Sequence, residues 1–360
     1  MSAFSVDILK IETLDPHPNA DKLDIVRVGG YNCVVKKDTY KIGDTIVYIP
    51  TESIMDHPTA IALDIADYLV GKGKNRVKAI ALRKIISEGI VLPLKIVTDY
   101  LDSKFGIGTI DLTSECNLAD LLNIKKYEEE ISPQMAGKVR SWPSFLSHYD
   151  VENLKRPENR SIFVPLEEVI ATDKAHGSNM SVSWSITEPD TIFVCSRNNA
   201  LLEDDNNLFW KTAKKYNLIE KLKLYREWPS ATHGVECRQI TIWGEMMGLQ
   251  DLRYSYSKED PGFVCFDIFL NGNPLSWPEL KIVTDYFEIP LVPLVYRGPF
   301  NESLLLEMSE QDTLLPNETM REGLVIKPII ERTDDTLGRV QLKLISGKYL
   351  TRKGNTTEFH

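Results

Sequence analysis

Across residues 161–350 the strand-like runs are filled with Val, Leu, Ile, Phe and Trp, yet charged residues keep interrupting them. Lys174 closes FVPLEEVIATDK, Glu245 sits inside ITIWGEMMG and Asp267 inside GFVCFDIFL. Glu322 and Lys327 bracket EGLVIK, and Lys343 lies inside RVQLKLIS. A lone ammonium in an apolar interior is costly, because it gives up water and gains no partner. One such charge is ordinarily a solvated strand end. Several lysines on strands of one region call for a fold that gathers them around a shared anionic ligand.

The same runs set the fold class. FVPLEEVIAT, NMSVSWSI and TIFVCSR precede a helical pattern from Leu208 to Glu227, in which Leu218, Leu222 and Tyr225 share one face. Four more strands follow, so the class is α+β. The N-terminal part differs. VDILKIETL, LDIVRV, NCVV and DTIVYIP are short strands parted by GG, KKD and IGD turns. A basic, β-like segment runs from Arg76 to Leu94. Strands at this spacing predict a small barrel of the OB type. The stretches Pro58–Gly73 and Val97–Ala136 are more helical and polar, as insertions or a connector would be. SWPSFLSHYDVENLKRPENR, residues 141–160, opens a second domain. A chain of 360 residues suits two domains, divided as 1–140 and 141–360.

A net charge of −10 excludes general adhesion to nucleic acid, so any such surface is local. Two basic runs qualify. One holds Lys72, Lys74, Arg76, Lys78, Arg83 and Lys84; the other is WKTAKKYNLIEKLKLYRE, read first as an amphipathic surface helix. No stretch approaches the roughly 20 apolar residues of a membrane span. The N-terminus lacks a basic segment followed by an apolar run. The five cysteines are odd in number, scattered and without metal-binding spacing. They read as buried reduced thiols in an intracellular protein.

Taken in order, KAHGSN from Lys174, SR at Arg197, GE at Glu245, FDI at Phe266, EGLVIK from Glu322 and the late Lys343 resemble the six nucleotidyltransferase motifs of the ATP-dependent RNA ligases. PHPNADKLDIVRVGGYNCVV and IGDTIVYIPTESIM resemble the OB module of the branch that seals nicks with 3′-OH RNA ends. The HPNADKL phrase is also similar to the tRNA-binding OB module attached to some aminoacyl-tRNA synthetases. The resemblance implies an N-terminal OB-like β-barrel followed by an antiparallel α/β adenylyltransferase domain of the ATP-grasp-like ligase kind.

It also implies a chemistry. A phosphomonoester lacks a good leaving group, and attaching AMP supplies one. Lys174 is the expected nucleophile on the α-phosphorus of ATP. Lys327, Lys343 and a bound Mg²⁺ (or Mn²⁺) would keep its amine unprotonated. Glu245 and Glu322 are the expected metal carboxylates, and Glu245 also suits the ribose. Arg197 is expected at the ribose or the incoming 5′-phosphate. Ser178 and Asn179 suit phosphate or 3′-OH contacts, and Gly177 lets the backbone come close. Phe266 and Val325 would sandwich adenine, and Asp173 would accept from its amino group.

Three departures stand out. His176 gives the His-Gly form of the first motif, where the OB-first branch is more often Asp-Gly. The last motif has Gln341, Lys343 and Ile345 on one strand face, with one lysine instead of two, leaving Lys348 or Arg352 to add phosphate grip. DVENLKRPEN lacks the expected arginine, which Lys155 or Arg156 would replace. The expected substrate is RNA with 3′-OH and 5′-phosphate ends, at nicks in a duplex, met by a monomer. A capping-type guanylyltransferase and a non-catalytic RNA-binding protein remain as alternatives.

Overall fold

The computed structural model describes residues 4–51, 53–71, 73–108, 112, 117–127, 138–164, 166–233 and 235–352, with side chains omitted over 228–233. Lys72, Cys116 and parts of the 97–136 segment lie outside the described residues. The chain divides into two compact units. One comprises Ser2–Glu130, Glu152–Ser161 and Leu350–His360; the other comprises Ile131–Val151 and Ile162–Tyr349.

In the N-terminal unit, β1 (Asp7–Pro16), β2 (Leu23–Val28), β3 (Tyr31–Lys36) and β4 (Thr45–Ile49) are followed by a hairpin, β5 (Ile80–Leu82) and β6 (Ile85–Ser87), and by β7 (Ile90–Pro93). Five of them form an antiparallel sheet in the order β3-β2-β1-β4-β7. The sheet closes on itself after β6. The Glu88 amide donates to Asn32 O at 2.8 Å, and the Val34 amide donates to Ser87 Oγ at 2.9 Å. Val26, Val28, Tyr31, Cys33, Ile46 and Tyr48 fill the interior, as the period-2 pattern requires. The HPNADKL phrase acts locally as a clasp. His17 Nε2 donates to Leu82 O at 3.0 Å and Asn19 Nδ2 to Arg83 O at 2.9 Å, holding the β5–β6 turn. That turn runs through Arg83 and Lys84 at φ 48° and 76°. Two short helices, α1 (His57–Ala62) and α2 (Leu94–Phe105), occupy parts of the predicted insertions.

The C-terminal unit is built on two sheets. Its elements are β8 (Val139–Arg140), β9 (Glu168–Asp173), β10 (Ser178–Ser185), β11 (Phe193–Ser196), β12 (Ala200–Leu201), α3 (Leu208–Lys215), α4 (Leu218–His233), β13 (Gln239–Met247), β14 (Gly262–Leu270), β15 (Asn273–Pro274), α5 (Trp277–Tyr286), β16 (Leu294–Pro299), α6 (Glu302–Ser309), β17 (Gly323–Pro328) and β18 (Leu342–Ile345). Seven strands run in the order β8-β12-β11-β10-β13-β14-β15. In the second sheet β18, β17, β9 and β16 are successive neighbours.

Met180, Val182 and Trp184 of β10, with Ile240, Ile242 and Met246 of β13, form the main core with residues of α3, α4 and α5. The opposite face of the large sheet carries Ser181, Ser183, Thr241 and Trp243, the partners of the core residues by alternation. Leu146, with Trp142, Phe145 and Tyr149 against it, joins the aromatic cluster on that face.

Two details differ from expectation. The 208–227 helix is two helices, because Asn217 takes φ 54°, a left-handed stop that asparagine tolerates. The strand expected from Phe163 starts only at Glu168, after a turn through Leu166 at φ 67°. Cys33, Cys195, Cys237 and Cys265 are free and buried. Among the described residues no helix is long and apolar enough to cross a membrane.

Candidate active site

Lys174 leaves the end of β9 and enters the four-residue crossing, 174–177, that carries the chain from one sheet to the other. Its amide donates to Gly323 O at 3.0 Å. Its ammonium donates to Oε1 of Glu322, a carboxylate with no solvent exposure. The Lys174 side chain keeps 18% exposure, so the amine is reachable while its partner is not. The segment after it is equally constrained. A Cβ on Gly177 would stand 2.2 Å from Met246 O, so only glycine fits that approach, and Glu245 Cγ lies 3.1 Å from the same point.

Strand register gathers the other residues. Ile170 pairs with Lys327, Thr172 with Val325, and Val325 with Lys343. Directly paired residues of an antiparallel ladder share a face. Thr172, Val325, Lys327 and Lys343 therefore lie on one face, which Lys174 continues two residues beyond Thr172. On the large sheet Asn179 pairs with Glu245, and Met180 pairs with Ser196, just before Arg197. Asn179 Oδ1 is buried with no hydrogen-bond partner, an acceptor left open at the site. Arg197 is exposed, with Nη2 3.2 Å from Asp150 Oδ1. Phe266 is half-buried, its ring 4.9 Å from that of Tyr149.

Two expected roles need correction. Asp173 does not face the site. It precedes Lys174 on the strand, so its side chain points to the other face. There its carboxylate accepts from Arg321 Nε at 3.2 Å, Arg321 Nη2 at 3.3 Å, Thr313 Oγ1 at 2.9 Å and the Leu314 amide at 2.6 Å. That lone-pair set is full, so the carboxylate is a buried anchor instead of an adenine reader. Lys327 shares the site face but is not a free cation. Its Nζ is 2.8 Å from Asp267 Oδ1 and 3.3 Å from Glu331 Oε1. Arg339 bridges the same two carboxylates, at 2.7 Å and 3.0 Å to Asp267 and 2.6 Å to Glu331. Tyr149 donates to Asp267 as well, and Gln341 Nε2 donates to the Tyr149 hydroxyl at 2.7 Å. Burial alone would raise the Asp267 pKa; the Arg339 and Lys327 charges overcome it and hold the carboxyl well below the usual range. The cationic suppression of Lys174 protonation expected from Lys327 thus meets two carboxylates first.

His176 is 1% exposed. Its Nδ1 lies 2.8 Å from Glu322 Oε2 and 2.9 Å from the Tyr349 hydroxyl, and its Nε2 lies 2.7 Å from Asp251 Oδ1. Its amide donates to the Tyr254 hydroxyl at 3.0 Å. Burial, with Glu322 nearby, pushes the Tyr254 phenol up. Sequence reasoning marked His176 and Glu322 but missed Asp251, Tyr254, Tyr349, Arg339 and Glu331. Asp251 and Tyr254 lie in GLQDLRYSY, which has neither strand nor helix periodicity to aim a side chain. Of the substitutes for missing cations, Lys348 donates to Glu310 O at 2.6 Å, Lys155 pairs with Glu88 at 2.6 Å and Arg156 with Glu152 at 2.7 Å.

Among the described residues no group of three or more His, Cys, Asp or Glu is gathered to cage a metal. Glu322 and Glu245 carry the hard oxygen donors that Mg²⁺ or Mn²⁺ takes, and here both Glu322 oxygens are engaged, Oε1 by Lys174 and Oε2 by His176. Of the two basic runs, the 210–227 run is largely neutralised. Lys214 pairs with Glu203 and Asp205, Lys215 with Asp260 and Lys223 with Glu220. In the N-terminal run Arg76 stacks 3.8 Å over Tyr127, and burial beside Arg76 and Arg352 lowers the Lys78 pKa.

Comparison with known proteins bears on family and fold. Residues 167–345 match the RNA ligase family, and residues 5–94 match an OB-fold domain. No curated protein matches the chain. Among solved structures, a variant of the Naegleria gruberi RNA ligase with ATP and Mn is 23% identical, covering 96% of this chain and 98% of that one at a TM-score of 0.76. A variant of the same protein with AMP and Mn is 24% identical, covering 96% and 97% at 0.75. The same ligase with pyrophosphate is 24% identical, with the same coverage, at 0.73. At these identities the likeness is one of fold.

Proposed function

Since residues 167–345 form a domain of the RNA ligase family, behind an OB-fold domain, we propose that the chain joins RNA 3′-OH and 5′-phosphate ends, at nicks in a duplex, using ATP. The observation that carries the reading is the reachable Lys174 amine set against the buried Glu322 carboxylate, at the crossing between two sheets. Nζ of Lys174 attacks the α-phosphorus of ATP; a P–N bond forms and pyrophosphate leaves. The 5′-phosphate of RNA then takes AMP from the lysine, and the 3′-oxygen displaces AMP to close the strand.

This chain's own residues supply the arrangement. Gly177 lets the loop lie against β13, Asn179 offers an open acceptor, and Val325 and Phe266 are the apolar groups assigned to the base. Lys343 shares a face with Val325 and is assigned to phosphate, and Arg197 is assigned to the ribose or the 5′-phosphate. Glu322 and Glu245 would hold a divalent cation, which when bound offsets charge on the phosphate oxygens. The substrate is read by a monomer, with residues 1–140 as the OB domain and 141–360 as the catalytic domain.

The test is a labelling gel with ATP and GTP side by side. Wild-type protein with Mg²⁺ takes a covalent AMP label, Lys174→Ala takes none, and GTP gives none. A GTP label would make the chain a capping-type guanylyltransferase. RNA binding with neither label would make it a non-catalytic RNA-binding protein.

A further inference from the structure

The loop from Gly248 to Pro261, between β13 and β14, contains none of the motif residues, yet it closes on the lysine crossing at three points. Gln250 Nε2 donates to Gly177 O at 3.2 Å, the Tyr254 hydroxyl accepts from the His176 amide at 3.0 Å, and Asp251 Oδ1 stands 2.7 Å from His176 Nε2. Its backbone is strained to do so. Tyr254 and Ser255 take φ 51° and 68° in succession, a left-handed conformation uncommon outside glycine. Strain of this kind persists only where the surroundings over-determine it.

From Asp251 the contacts run inward in one line. His176 presents Nε2 to Asp251 and Nδ1 to Glu322 Oε2 at 2.8 Å, while Glu322 Oε1 receives the Lys174 ammonium. A glutamate carboxylate rotates readily about its last torsion, which has broad wells. Holding Oε2 on His176 therefore decides where Oε1 lies, and so where the amine waits. The imidazole in turn needs a partner on its far nitrogen to keep its ring plane. Resting on the ligase reading above, we infer that Asp251 is a positioning residue: through His176 it fixes Glu322, and through Glu322 it aims the Lys174 amine. Asp251 is thus assigned no direct part in the reaction. Its side chain is 33% exposed, so removing it leaves no buried cavity.

The experiment measures the single-turnover rate of AMP transfer to the protein over a range of ATP concentrations. The proteins are wild type, Asp251→Ala, Asp251→Asn, His176→Asn and the Asp251→Ala/His176→Asn double variant. Asp251→Ala is expected to lower the maximal rate by roughly 10- to 100-fold, the cost of a small misplacement near the reacting atoms. The half-saturating ATP concentration stays within about 2-fold, because ground-state binding is untouched. Asp251→Asn restores most of the rate, since its carboxamide can meet Nε2 with its oxygen or with its NH₂, whichever the ring tautomer requires. The double variant is no slower than His176→Asn alone, as a shared line of action requires. A wild-type rate in Asp251→Ala, or losses that multiply in the double variant, would overturn the inference. If Asp251→Ala does not keep wild-type tryptophan fluorescence, Asp251→Ser, whose hydroxyl is too short to reach His176, carries the same expectations. A wild-type protein that takes no AMP at all would defeat the ligase reading instead, a result distinct from equal labelling of wild type and variant.

Discussion

Arg321→Met tests whether Asp173 anchors the fold or reads the base. Both side chains are buried, Arg321 at 3% exposure and Asp173 at 1%. The carboxylate accepts from Arg321 Nε and Nη2, the Thr313 hydroxyl and the Leu314 amide. Methionine keeps much of the arginine's apolar volume but removes both guanidinium contacts to Asp173, and with them the Nη1 bond to Met308 O at 2.6 Å. An ionised carboxylate is then left buried with two neutral donors. Breaking a buried ion pair from one side costs about 3–5 kcal/mol. Adding Asp173→Asn removes the stranded charge and keeps an acceptor for Thr313 and Leu314, so the double variant recovers about half of that loss or more. The assay is urea unfolding followed by tryptophan fluorescence. All six tryptophans, Trp142, Trp184, Trp210, Trp228, Trp243 and Trp277, belong to the C-terminal unit, so the signal follows that unit alone. With a slope of about 2 kcal/mol per molar urea, Arg321→Met shifts the midpoint down by roughly 1.5–2.5 M. A shift below about 0.5 M, or additive losses in the double variant, would refute the anchoring argument. A stable Asp173→Asn that accepts GTP as readily as ATP would return Asp173 to the base.

Two further outcomes follow from the same site. The Asp267 pKa is depressed in the folded chain, so its contribution is complete above the unfolded value near 4 and is lost as pH falls through the folded value. The tryptophan-monitored midpoint therefore declines below about pH 4, and Asp267→Asn, weaker at neutral pH, shows a shallower decline; an equal slope in both proteins would exclude Asp267 as the cause. Gly177→Ala places a Cβ 2.2 Å from Met246 O and 2.9 Å from its carbonyl carbon. It is expected to cost about 1–3 kcal/mol in the same unfolding assay and to slow AMP labelling by roughly 10-fold or more, and a wild-type labelling rate would show that the close approach is dispensable.

How much of this is legible in the sequence depends on whether the information is local. Strand runs are local, and the alternation in NMSVSWS and ITIWGEM marks both the buried and the polar face of the large sheet. The OB-type barrel is legible for the same reason, since its turns carry Gly and Asp at short spacing. Partners are not local. Lys327 lies 60 residues from Asp267, and nothing in EGLVIKP announces that its amine is neutralised. Arg339 is two residues before Gln341, so reading the last motif as short of a lysine overlooked a guanidinium that reaches Asp267. Asp251 sits in a turn, where side-chain direction follows backbone dihedrals that sequence spacing does not encode. Asp173 was misjudged for a different reason. Its neighbour in sequence is the proposed nucleophile, but on a strand the adjacent residue is the one that cannot face the same way.

Just beyond the paired strands, charge takes over from alternation in deciding which side chains meet. Asp173 and Lys174 are consecutive, and so are their partners, Arg321 and Glu322. One pair of segments therefore makes two ion pairs of opposite polarity on opposite faces. The Asp173–Arg321 pair is closed to solvent; in the Lys174–Glu322 pair the lysine side chain keeps exposure and the carboxylate has none. Backbone register does not by itself put Glu322 there. Asp173 pairs with Leu324, so strict alternation continued past Gly323 would turn Arg321 toward Lys174 and Glu322 toward Asp173, two like-charge contacts at once. Both segments leave the ladder at this point, one after Asp173 and the other before Gly323, and the two ion pairs form outside it. The observed arrangement is separated from that competitor by repulsion as well as by attraction. A chain that must hold one reactive lysine in place gains more from such an anchor behind the strand than from a further cation in front of it, because added charge pulls on the amine without fixing where it lies.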